Sequence, residues 1–67
     1  MNDKEILAYA LKERHPSESL EKAVGRAVRS HSGRYEDYVR IMGDVRELAD
    51  KKRMTIVEAA NEIAGQP

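Results

Sequence analysis

Sixty-seven residues hold one domain, 1–67, with room for only a small core. Twelve basic residues balance twelve acidic ones, so net charge draws the chain toward neither nucleic acid nor anionic lipid. The absence of cysteine excludes disulfides, thiolate metal sites and thiol nucleophiles. No run of seven apolar residues offers a signal-peptide core or a membrane span, so a cytoplasmic location is expected.

Apolar spacing and punctuation predict an all-α fold, a compact three- to four-helix domain. The first helix is expected over about residues 3–13. Asn2 or Asp3 caps it, and Asp3 and Glu5 place negative charge in its first turn, where the helix dipole favours it. Ile6, Leu7, Ala10 and Leu11 form its apolar stripe. Pro16 ends it, because the residue before a proline is pushed out of the helical region.

The second helix is expected over 19–30, capped by Ser17 or Ser19. Leu20, Ala23, Val24, Ala27 and Val28 recur at i, i+3, i+4, i+7 and i+8. Ser30-His31-Ser32-Gly33 closes it as a turn. The third helix, over 35–52, has a broad face of Tyr35, Tyr38, Val39, Met42, Val45, Leu48 and Ala49. Glu36–Arg40, Arg46–Asp50 and Glu47–Lys51 are opposite charges at i,i+4 along it. Thr55-Ile56-Val57-Glu58 is a capping-box pattern and opens a fourth helix over 56–64, which Gly65 stops. The second and third helices are expected to form the central antiparallel pair, flanked by the first and closed by the fourth.

Catalytic chemistry finds little to work with. Ser17, Ser19, Ser30 and Ser32 all lie at helix ends, where serine caps backbone donors. His31 stands between two serines, yet neighbours in a turn lack the geometry of a base and its nucleophile. His15 and His31 are far apart, and no His-x-x-x-His or Glu-x-x-His pair occurs, so no metal site is expected. Glu58 and Glu62 read as a cap and a solvated face. No glycine-rich phosphate loop is present. The chain is therefore read as no enzyme, with no cofactor and no small-molecule substrate.

Three features point to binding. Tyr35, Tyr38 and Met42 are residue types enriched at protein interfaces, and they are the candidate partner-binding residues. Gly25 and Gly43 stand inside helices, where glycine costs about 1 kcal/mol against alanine, so a close approach by another helix or a partner is expected there. From Lys22 to Arg34 there are four basic residues and no acidic one. Lys22, Arg26 and Arg29 fall at i, i+4 and i+7 as one ridge, which Arg34 continues. Such a ridge can meet phosphates, although basic residues late in a helix also suit its dipole, and no aromatic residue interleaves with the ridge in sequence.

Thr55 to Gly65 resembles the opening helix of winged helix-turn-helix domains of the MerR or excisionase type: a capping threonine, an acid, then Ala59-Ala60 before an apolar residue and glycine. In that family a recognition helix follows the glycine, whereas only Gln66 and Pro67 follow here. The resemblance therefore implies shared capping without the base-reading element. Tyr35 to Ala49 is similar to small helical accessory proteins of tailed bacteriophages, with a tyrosine-rich start, the mid-helix Gly43 and an Arg46-x-Leu48 continuation. This resemblance implies an accessory role, in the host cytoplasm or the virion. The functional expectation is a non-enzymatic protein acting through protein–protein interaction or assembly. A homodimer is expected because a core without Phe or Trp, and without disulfides, gains from self-association. The alternative is a small nucleic-acid-binding regulator using Lys22, Arg26, Arg29 and Arg34.

Overall fold

A computed structural model of the protein describes all residues, 1–67. It contains four helices and no strand: α1 (Asp3–Glu13), α2 (Leu20–His31), α3 (Tyr35–Lys52) and α4 (Ile56–Ala64). Local chemistry sets most of their boundaries. Asn2 Oδ1 accepts from the Glu5 N–H at 2.9 Å while Glu5 Oε1 accepts from the Asn2 N–H at 3.0 Å. Thr55 and Glu58 repeat this reciprocal cap at 3.1 and 2.9 Å, and the Thr55 N–H holds the Glu58 carboxyl below its ordinary pKa. Caps of this kind each contribute about 1 kcal/mol.

The expected bounds of α2 shift by one residue. Ser19 is the cap, its hydroxyl accepting from the Lys22 N–H at 3.2 Å, so the helix begins at Leu20. It runs on to His31 because the reversal falls to Gly33, whose φ of +71° is the left-handed region glycine enters freely. α3 ends differently. Arg53 has φ +53°, and the N–H of Met54 donates to the Ala49 carbonyl at 3.0 Å, the closing bond that usually accompanies a left-handed glycine.

One core joins all four helices. Ile6, Leu7 and Ala10 meet Leu20, Val24 and Val28, while Ile41, Met42 and Val45 reach in from α3. Ala59 and Ala60 of α4 are completely buried, and their small side chains let that short helix lie close against the others. The helices form a ring in which each contacts its neighbours in sequence and α4 returns to α1. The expectation of a central α2–α3 pair is corrected here. α1 and α2 share the largest contact in the ring and α2 and α3 the smallest, because the continuous stripe of α2 faces α1. A groove opens between α2 and α3.

The charge pairs expected along α3 are also corrected. Glu47 and Lys51 form no ion pair; Arg40 turns from Glu36 to Asp3 and Asp37, Arg46 turns from Asp50 to Glu21 of α2 at 3.7 Å, and Lys52 pairs with Glu62 of α4. A partner on another helix is available to Arg40, Arg46 and Lys52 only after folding. No helix is long and apolar enough to cross a membrane.

Candidate functional site

The corner between α2 and α3 is built on Asp37. This carboxylate is buried, with 3 % of its surface exposed, and lies in the first turn of α3. The neighbouring Ser32 hydroxyl and the Arg40 guanidinium, which donates to it at 2.7 Å, hold its pKa below the ordinary carboxylate value. Arg34 adds a looser contact at 3.5 Å. Asp37 thereby fixes the inter-helix turn to the start of α3 and sets where Arg34 and Tyr35 project.

Beside that corner, α2 and α3 enclose a groove of about 510 Å³. Its floor is Gly25 and Val28 of α2. A Cβ at Gly25 would stand 3.8 Å from Tyr38 Cε2 and 3.7 Å from Arg29 Nη1, so both side chains lie over the bare helix backbone. Tyr38 is half-buried there. Tyr35, 75 % exposed, stacks on it with ring centroids 5.8 Å apart and planes inclined by 26°. Lys22, Arg29 and Arg34 supply positive charge around these rings. Lys22 and Arg29 take part in no ion pair. Glu21 also lines the groove, and Arg46 draws on its carboxylate from α3.

The chain matches no protein-family model, no curated protein and no solved structure.

Its groove brings together residues that the sequence placed in two separate groups. Tyr35 and Tyr38 stand among Lys22, Arg29 and Arg34, so aromatic rings do interleave with the cations, across helices. Two members of those groups do not join them. Met42 has no exposed surface and belongs to the core, because it lies with Ile41 and Val45 on the arc of α3 that turns inward; it cannot touch a partner. Arg26 points away from the groove. Its guanidinium pairs with both carboxylate oxygens of Glu18 and reaches the Glu13 carbonyl at 3.3 Å, clasping the α1–α2 turn. The ridge is therefore Lys22, Arg29 and Arg34.

The two glycines also part. Gly25 accommodates Tyr38, whereas nothing lies within 4 Å of a Cβ placed at Gly43, and the structure offers no reason for glycine there. Val39, expected on the apolar face of α3, is 51 % exposed. Asp37 was not legible in the sequence, whereas Gly25 was, as a place of close approach, and Tyr38 of α3 is what approaches it. A glycine at the centre of the cleanest amphipathic helix was the one available signal. His31 meets Tyr9 edge-on, centroids 4.4 Å apart, and the fold gathers no group of three or more His, Asp and Glu side chains able to hold a metal ion.

Proposed function

We propose that this chain is a non-enzymatic binding protein whose contact surface is the groove between α2 and α3, and that its partner is anionic. The observation carrying this reading is the convergence of unpaired Lys22 and Arg29, and of Arg34, on a tyrosine pair whose outer ring, Tyr35, is exposed. Cations around a concave surface raise the local concentration of anionic ligands even when net charge is zero. Glycine at position 25 fits the same reading, since it keeps the groove floor open at a conformational cost of about 1 kcal/mol.

Heparin chromatography at low salt tests it. The wild-type chain is expected to be retained, and Lys22→Glu with Arg29→Glu to elute at clearly lower salt. Lys51→Glu with Arg53→Glu makes the same change in charge at the other end of α3, with Lys51 about 24 Å from Tyr35 at the helical rise. That pair is expected to elute near wild type. Passage of the wild type without retention, or equal losses in both double variants, would overturn the groove as the binding surface.

A second reading is favoured by one observation. Tyr35 and Val39, one turn apart on the outer side of α3, are both more than half exposed. Self-association through this strip would cover them. Sedimentation equilibrium at micromolar concentration is expected to show a dimer that Val39→Glu dissociates, and a strict monomer rejects it.

A further inference from the structure

Building on the groove reading, we infer that the anionic ligand is a single-stranded nucleic acid, with a base stacked on Tyr35 and its phosphates held by Lys22, Arg29 and Arg34. The geometry of the tyrosine pair leads to this. Tyr38 lies half-buried over Gly25 as the inner ring, and Tyr35 continues the stack outward at 26° and 5.8 Å. With three quarters of its surface in solvent, Tyr35 ends the stack with room for another flat ring. Bases stack on such platforms regardless of sequence, because every base has a π face.

The cations select a strand over a mononucleotide. Lys22 and Arg29 are seven residues apart on α2, about 10.5 Å along its axis. Successive phosphates of one strand advance by roughly 3.4 Å in a duplex and further when the strand is extended, so a strand can offer a separate phosphate to each of two side chains anchored this far apart. The stack selects against a duplex, whose bases already stack on each other and would have to be extruded first.

An acidic protein segment fits less well. Protein partners anchor in desolvated apolar pockets, and the only aliphatic residue in the groove, Val28, is 3 % exposed. The surface on offer is ring faces and positive charge.

Fluorescence anisotropy with labelled oligothymidylate of about eight nucleotides, within the span such sites cover, provides the test. The comparison ligands are an abasic oligomer of equal length and charge, a duplex, and oligoglutamate. The chain has no Trp, so quenching of tyrosine emission reports stacking directly. Oligothymidylate is expected to bind at least about tenfold more tightly than the abasic oligomer. Tyr35→Ala should abolish that difference and the quenching, and Tyr35→Phe should retain the difference. Tyr35 is exposed, so both variants should keep the wild-type circular dichroism spectrum.

Equal affinity for oligothymidylate and the abasic oligomer, unaffected by Tyr35→Ala, would overturn the stacking inference and leave the anion-binding groove standing. Tighter binding of oligoglutamate would replace nucleic acid by an acidic protein partner, and tighter binding of the duplex would replace the single strand. No binding to any of these together with no retention on heparin would remove both readings.

Discussion

Arg40 on α3 holds Asp3 on α1 through two hydrogen bonds, 2.6 Å from Nε to Oδ2 and 2.8 Å from Nη2 to Oδ1. The same guanidinium reaches Asp37, so one cation ties the start of α1 to the corner that shapes the groove. α1 and α3 touch little otherwise, since they face each other diagonally across the ring.

This arrangement makes the fold sensitive to acid. The bond from Arg40 lowers the Asp3 pKa, and the Ser32 hydroxyl, followed by Arg40, lowers that of Asp37, each from an ordinary 3.8. A carboxyl with a depressed pKa in the folded state stabilises it fully above the unfolded value, and that contribution fades as pH falls through and below 3.8. Thermal unfolding followed by circular dichroism is expected to give a level Tm down to about pH 5 and a steady fall toward pH 2. Asp37→Asn should lower Tm at neutral pH and flatten the acid slope. An unchanged slope would show that this carboxylate is not what acid titrates.

Alanine replacements separate the two mid-helix glycines from the rest of the chain. Gly43→Ala places a methyl in open space and is expected to raise unfolding free energy by about 1 kcal/mol in urea titration. Gly25→Ala meets Tyr38 and Arg29 at ordinary contact distances and should gain about 0.5–1 kcal/mol. A loss at Gly25 would mean that Tyr38 packs against the α2 backbone more tightly than these distances show.

Arg53 occupies a conformation in which a Cβ costs about 1–2 kcal/mol. Arg53→Gly is expected to stabilise the chain by about 1 kcal/mol after the greater freedom of glycine in the unfolded state is offset. Arg53→Val, branched at Cβ, should destabilise it. Urea midpoints at constant slope check both, and a lower midpoint for Arg53→Gly would contradict the turn geometry.

Met42 and Tyr35 should respond oppositely to truncation. Met42→Ala opens a cavity in a fully buried site and is expected to cost about 2–5 kcal/mol, whereas Met42→Leu should cost under about 1.5 kcal/mol. Tyr35→Ala should change stability by no more than about 0.5 kcal/mol. Differential scanning calorimetry reads all three. A Met42→Ala variant as stable as wild type would return that residue to the surface.

Helix number and type were legible from short-range pattern. Asn2, Ser19 and Thr55 announce starts because a cap bonds a backbone donor only a few residues away, and Pro16 and Gly33 act on the backbone directly. The stripe of α2 was equally plain, since its five buried residues recur at helical spacing. The ion pairs were not. Glu36 and Asp50 were neighbours of the right sign, but Asp3 and Glu21 offered Arg40 and Arg46 carboxylates on packed helices.

The four helices and the buried stripes of α1 and α2 therefore follow from the sequence by itself, because capping and periodicity act over one or two turns. Packing decided the rest. It placed Met42 inside and Val39 outside, although both lay on one expected face, and it gave Arg26 to Glu18. It also brought Tyr35 and Tyr38 of α3 to Lys22 and Arg29 of α2. Which side chains share a groove depends on how two helices pack, and that packing is set by what each buries against the other two.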